Sequence, residues 1–288
     1  MDIASLKAFL AVADAGSFSL AAEYLFLTQP AISKRIAGLE GELDTRLFDR
    51  IGRTVSLTEA GRALQPRARA ILVDIEDSVR AITNLSGEVH GTLRFATSHH
   101  IGLHRLPPAL KAFTRQHPDV RLDIRFMDSE AACLAVEHGE LELAIVTLPP
   151  DPSPNLSLDP VWEDPLGIVV SHEHPLSTKR HTTLSALLEH PAILPATGTY
   201  TRQIAERAFS AAGARLDVAL STNYLETIRM LVSVGIGWSL LPLTMLDNQL
   251  RHIEVPELRL ERTLGVVAHR ERTLSNAAHA LQKLLHKA

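Results

Sequence analysis

The chain has 288 residues, 45% of them hydrophobic, and a formal net charge of −4. That is length and apolar content enough for about two domains with buried cores, and the slightly acidic balance excludes binding to a polyanion through net charge alone. The single cysteine, Cys133, excludes an internal disulfide and a cysteine-based zinc centre, and reads as a small buried helix residue. The longest uncharged apolar run, Leu231 to Leu246, is interrupted by Gly235, Gly237 and Pro242 and is too short to span a bilayer. The N-terminus lacks the basic-then-apolar layout of a signal peptide, so a cytoplasmic protein with no membrane partner is expected.

Apolar residues at Ile3, Leu6, Phe9, Leu10 and Ala13 predict a first helix that Gly16 stops. Ser17 or Ser19 can cap a short second helix through Leu25, and Thr28 a third, with Pro30 tolerated in its first turn. On that third helix Ile32, Ile36, Leu39 and Leu43 gather on one side, and Gln29, Pro30, Ser33, Lys34 and Ala37 on the other. The second face is low in profile and carries hydrogen-bonding groups near its N-terminal end. It suits a recognition helix in a major groove, although an ordinary surface helix can look the same.

The following LFDRIGRTVSLT reads as two short strands around Ile51-Gly52, a wing carrying Arg50 and Arg53. Residues 1–60 hold six Lys/Arg against eight Asp/Glu, yet five of the six cations fall between positions 34 and 53, on the proposed binding elements. A long helix from about Thr58 to Leu85 has Leu64, Ala68, Ile71, Ile75, Ser78, Ile82 and Leu85 alternating by four and three, with Pro66 as a kink or a late start. That seam predicts pairing with a second copy; the alternative is packing on its own domain.

Beyond residue 90 the pattern changes. Gly91 to Ala96, Val120 to Met127 and Leu143 to Thr147 read as strands alternating with helices near 104–117 and 129–138, and a similar alternation recurs from Leu166 to about Leu241. Two α/β lobes are expected, with the last strand near Leu264 to Ala268 and the final helix from about Ser275 returning to the first. Ligands in such sheets sit beyond the carboxyl ends of the strands. Ser98, His99, His100, Thr147, Thr197, Thr199, Tyr200 and Asn223 meet that condition and form a polar ring fit for a small polar or anionic metabolite, unless each is only a helix cap. His100 and His104 are spaced to share a helical face, but no HExxH pattern, cysteine or evident third ligand completes a metal site, so none is expected. His172-Glu173-His174-Pro175 reads as structural. No Walker loop, dinucleotide glycine pattern or G-x-S-x-G elbow is present, so neither catalytic residues nor a cofactor is expected.

AAEYLFLTQPAISKRIAGLEGEL followed by LFDRIGRTVSLTEAG resembles the signature of LysR-type transcriptional regulators, densely over residues 3–61, and GTLRFATS, HPLS and GIGWSLLP match more loosely. The resemblance implies an α/β fold class with an N-terminal all-α winged helix-turn-helix, a long linker helix that dimerises, a two-lobed effector domain like periplasmic binding proteins, and homotetramers. It also implies promoter DNA, a small-molecule effector and, as a further candidate partner, RNA polymerase. Gln29, Pro30, Ser33, Lys34 and Arg35 match the DNA-contacting part of the motif, and Arg50 and Arg53 the wing, whereas Leu39 and Glu40 match structural positions. Lys34 departs from the arginine frequent there, which weakens bidentate base reading. The expected layout is 1–58 for the DNA-binding domain, 59–88 for the linker and 89–288 for the effector domain, with one lobe at about 89–162 and 265–288 and the other at about 163–264. The competing expectation is an α/β enzyme or solute-binding module whose N-terminal helices serve only association.

Overall fold

Asp2 accepts a hydrogen bond from the Ser5 amide at 2.6 Å and so starts α1 (Ile3–Ala15), which Gly16 ends in the left-handed region at φ 59°. Ser17 caps α2 (Phe18–Tyr24) and Thr28 caps α3 (Gln29–Glu42), with Pro30 in a first turn whose amides have no intrahelical partner. The computed structural model describes residues 1–51 and 54–287. In it the three helices bury Phe9, Val12, Ala21, Ile32 and Ile36 against one another. Leu43, expected on the buried side of α3, instead follows the last helical residue and is 40% exposed, because the chain turns away there from the apolar stripe. β1 (Phe48–Ile51) and β2 (Thr54–Leu57) pair antiparallel, and the Phe48 ring lies 5.4 Å from that of Phe9, which anchors the hairpin on the helices.

Thr58 caps α4 (Glu59–Asn84), with Pro66 inside the helix. Its apolar seam divides in two. Ala68 is buried, with Leu64 and Ile71 partly so, all against the helical core, whereas Ile82 and Leu85 are 71% and 86% exposed, as is Val79 beside the seam at 59%. The first half therefore packs on its own unit, the alternative weighed for this face. Residues Met1–Ser86 form one compact unit and Gly87–Ala288 a second.

The second unit begins with β3 (Gly91–Thr97), α5 (His99–His104), α6 (Leu106–Gln116), β4 (Val120–Phe126), α7 (Ser129–Glu137) and β5 (Leu143–Thr147), in which β4, β3 and β5 are parallel neighbours. The long β6 (Leu156–Ser171) leads into a second lobe of α8 (Leu184–Leu188), β7 (Ala192–Leu194), α9 (Tyr200–Ala211), β8 (Val218–Ser221), α10 (Leu225–Ser233), β9 (Trp238–Pro242) and β10 (Leu250–Ile253). The chain then returns through β11 (Glu261–His269), and α11 (Asn276–Leu285) packs with α6 on the first lobe. Because β11 pairs antiparallel with both β5 and β6, one nine-stranded sheet in the order β4-β3-β5-β11-β6-β9-β7-β8, with β10 on β6, runs through both lobes. The register of β11 on β6 slips between Leu264 and Gly265, and a side chain at Gly265 would stand 2.3 Å from the Asp159 carbonyl oxygen, so this close crossing requires glycine. Apolar side chains cover both sheet faces of the first lobe, Phe95, Phe113 and Leu281 on one and Val136, Ala144 and Val267 on the other. Among the described residues no helix is long and apolar enough to cross a membrane.

Candidate effector cleft and nucleic-acid interface

β3 ends at Thr97, opposite Ile145 of β5, and β5 ends two residues on at Thr147, so the loops that follow open in one place. They line a cavity of about 60 Å³ with Ser98, His99, His100, Asp128, Ser129, Glu130 and Thr147 from the first lobe, Pro195, Thr199, Thr201, Asn223 and Leu225 from the second, and Arg262 of β11. That volume holds a few waters or a compact molecule of a handful of heavy atoms. Six of the eight residues expected from the sequence meet here. Thr197 and Tyr200 do not: Thr197 is exposed in the preceding turn, and Tyr200 gives its amide to Glu130 while its ring packs on the first-lobe cluster around Cys133.

The lining residues differ in how committed they are. Thr199 is a helix cap, accepting from the Arg202 amide at 3.3 Å and donating to the Ala196 carbonyl at 2.9 Å. Ser98 occupies the cap position of α5 without making a side-chain cap bond. Asn223 accepts from the Ala196 amide at 2.9 Å and donates to Asp128 at 2.7 Å, and so joins the lobes. The Glu130 bond to Tyr200 is a second such link, and His104 Nε2 to Glu226 at 3.0 Å a third. His99 stands at the rim between Phe126 and Tyr224, with ring centroids 5.4 and 5.0 Å away.

Electrostatically the cleft is mixed. Arg262 is buried, yet it donates to Asp164 at 2.7 Å and to the Thr201 hydroxyl at 2.9 Å. Burial pushes its pKa down and the Asp164 carboxylate pushes it back, which leaves the guanidinium charged and its charge neutralised. Burial also raises the Glu130 carboxyl above its usual range. His100 is pushed down to about 4, chiefly by burial and then by the Arg262 charge, so its imidazole is neutral at physiological pH.

In the first unit Gln29, Pro30 and Lys34 are exposed on α3, Ser33 and Arg35 are half-buried, and Gln29 Nε2 donates to Ser33 Oγ at 3.0 Å. The bond fixes one amide edge at the helix start, where a base edge would be met. The Asp2 carboxyl is held below its usual range chiefly by the Ser5 amide hydrogen bond, with a smaller contribution from the Arg35 charge. Arg53 lies outside the described residues, as does the side chain of Arg50.

The chain matches the family model described as "Bacterial regulatory helix-turn-helix protein, lysR family" over residues 3–62 and that of the "LysR substrate binding domain" over residues 86–288. It belongs to the LysR family of bacterial transcriptional regulators. A LysR-type regulator of this organisation binds DNA through the helix-turn-helix and is controlled by a small-molecule effector held between the lobes. The chain is 31% identical, over 94% of its own length and 92% of the relative's, to the uncharacterized HTH-type transcriptional regulator YeiE of Escherichia coli K12. Among solved structures, a full-length OxyR variant from Pseudomonas aeruginosa has a TM-score of 0.74 at 22% identity, covering 99% of this chain and 94% of that one. Full-length CbnR complexed with its target DNA has a TM-score of 0.66 at 21% identity, covering 100% and 99%. At those identities the likeness is one of LysR fold.

Within this LysR effector cleft, sequence reasoning missed Asp128, Ser129, Glu130 and Arg262. The first three follow the carboxyl end of β4, the position that singled out Ser98, and the same rule reaches them. Arg262 has no local signal, because it enters the cleft only through the pairing of β11 with β6.

Proposed function

We propose that the α3 face bearing Gln29, Pro30, Ser33, Lys34 and Arg35 enters the major groove of promoter DNA, with Arg50 and Arg53 of the wing on the adjacent backbone. The observation that carries this reading is the exposed Gln29–Ser33 pair on a helix whose opposite face, Ile32, Ile36 and Leu39, is buried. The similar CbnR chain, described in complex with its target DNA, supports it. We further propose that the residues lining the cleft, Ser98, His99, His100, Thr147, Thr199 and Asn223 among them, receive a compact polar effector. Asp128 and Glu130 line it too and Arg262 is already paired, so of the polar or anionic metabolites expected from the sequence, a neutral or zwitterionic polar molecule fits better than an anionic one. Occupancy would favour one arrangement of the cross-lobe bonds and so shift the population that binds or activates the promoter.

In this reading residues 1–58 bind DNA, 59–88 pair two copies through the exposed Val79, Ile82 and Leu85, and 89–288 sense the effector. Homotetramers in the cytoplasm, contact with RNA polymerase and the absence of catalysis follow from the same reading, and relatives described as transcriptional regulators support the last. The test is fluorescence anisotropy of the full chain on its own upstream DNA against scrambled DNA of equal length, titrated with salt and repeated with Arg53→Ala. Selective binding that weakens with salt and with the substitution is expected. Equal and salt-independent binding to both DNAs would favour the enzyme or solute-binding alternative.

A further inference from the structure

Three donor groups from two lobes converge beside the cleft without forming a satisfied set. His100 and His104 lie one turn apart on α5 with ring centroids 4.9 Å apart, and Glu226, in the first turn of α10, comes from the other lobe. Its Oε1 is 3.0 Å from His104 Nε2 and 3.9 Å from His100 Nδ1, and one ligand atom of each residue falls within 4.8 Å of the other two. His100 is 4% exposed, and neither of its ring nitrogens has a hydrogen-bond partner among the described residues. A buried imidazole with both nitrogens unmatched costs stability. An unpaired lone pair on such a ring is what a metal ion requires.

We propose that His100, His104 and Glu226 form a divalent transition-metal site that fastens the two lobes beside the effector cleft. Two imidazoles and a carboxylate suit Zn²⁺ and neighbouring first-row ions and are a poor set for Mg²⁺ or Ca²⁺, which take oxygen ligands. Donor atoms around a tetrahedral Zn²⁺ stand about 3.3 Å apart, as follows from Zn–N and Zn–O bonds of about 2.0–2.1 Å. The observed 3.0 and 3.9 Å bracket that value, so small side-chain rotations complete the geometry. Three protein ligands leave one position open. His100 also lines the cleft, which places the site within reach of the effector. The ion adds positive charge where Glu226 alone stands against two imidazoles, and it converts a single His–Glu contact into a three-point tie between lobes.

The site stands on its own geometry and is tested without an effector or DNA, so its failure leaves the regulatory reading untouched. Tag-free full-length protein, stripped with a chelator, is titrated with ZnCl₂ by calorimetry and with CoCl₂ by visible absorption. One ion per chain is expected, with the intense d–d bands of a four-coordinate Co²⁺ centre and a rise in melting temperature that the chelator reverses. His104→Ala and Glu226→Gln, both at partly exposed positions that spare the fold, are each expected to weaken Zn²⁺ binding at least about tenfold and to abolish the Co²⁺ bands; His100→Ala should do the same. Zn²⁺ affinity unchanged in His104→Ala and Glu226→Gln, or absence of the tetrahedral Co²⁺ spectrum, would overturn the proposal and leave an ordinary His104–Glu226 ion pair.

Discussion

Arg262 of β11 donates Nε–H to Asp164 of β6 at 2.7 Å, with both side chains no more than 4% exposed, at the register position where the two crossing strands set these residues opposite each other. Arg105 adds a second bond to Asp164 at 3.0 Å, and Arg262 reaches Thr201 at the start of α9. The pair therefore connects the strands that join the lobes to a helix that lines the cleft. Removing Asp164 leaves the Arg262 charge buried without its counter-ion, which costs about 3–5 kcal/mol. Asp164→Ala should destabilise by that amount, whereas Asp164→Leu combined with Arg262→Met should cost clearly less, as seen in urea denaturation. Tryptophan fluorescence reads this unit alone, because the only two tryptophans, Trp162 and Trp238, both belong to it.

DNA recognition should divide by residue. Lys34→Ala is expected to weaken binding to all sequences alike and to lower the salt slope by about one. Gln29→Ala should cost about 1–3 kcal/mol on the operator and little on unrelated DNA, because a base contact is lost and no phosphate contact. Anisotropy on both DNAs across a salt series checks the two outcomes together, and equal losses on both DNAs for Gln29→Ala would remove it from base reading.

Two hydroxyls that look alike in sequence should behave differently. Thr199 caps α9, so Thr199→Ala should lower stability by about 0.5–2 kcal/mol. Ser98 makes no cap bond, and Ser98→Ala should change stability by less than about 0.5 kcal/mol. Denaturation midpoints of the two variants decide this, and a Ser98 loss as large as that of Thr199 would assign it a structural role.

Glycines in the first unit offer a further contrast. A methyl group at Gly61 would stand 2.2 Å from the Leu47 carbonyl oxygen, so Gly61→Ala should cost about 1–3 kcal/mol through overpacking. Nothing lies within 4 Å of the same position on Gly38, inside α3, and Gly38→Ala should stabilise by about 0.5–1 kcal/mol. Melting followed by helical circular dichroism reads both.

Cys133 is buried against Tyr200, and that burial pushes its thiol up to about 11. At pH 8 only about one thiol in a thousand is then ionised, so native protein should react with Ellman's reagent far more slowly than a free cysteine. One thiol per chain should appear promptly once guanidinium unfolds the chain. Fast reaction of the native protein, or a rate that levels off well below pH 11, would contradict this placement.

Much of this protein is written locally. The helix starts at Asp2, Ser17, Thr28 and Thr58 depend on a hydroxyl or carboxyl reaching an amide three residues on, and Gly16 on its own left-handed backbone. The alternation of apolar residues likewise marks β3 and β4, and an unbroken apolar run marks β5, because pleat and helix periods are properties of neighbouring residues. Ser98, Thr147 and Asn223 were readable as cleft-lining residues for the same reason: each follows or closes an element whose end the sequence marks. The seam of α4 was readable as a pattern only, since spacing says that a face is apolar and leaves open what covers it.

What the tertiary structure alone decided are the relationships between residues far apart in the chain. Arg262 meets Asp164 across 98 positions, Asn223 meets Asp128 across 95, and Glu226 meets His104 across 122. Each depends on β11 crossing back beside β6 and on how the second lobe closes over the first. Periodicity and capping act over one or two turns, and so carry no record of such closures. The sequence by itself determined which elements form, which face of α3 is free and where strand ends leave polar groups; the fold decided which of those groups confront one another, because long-range pairing sums many weak contacts that no single stretch contains.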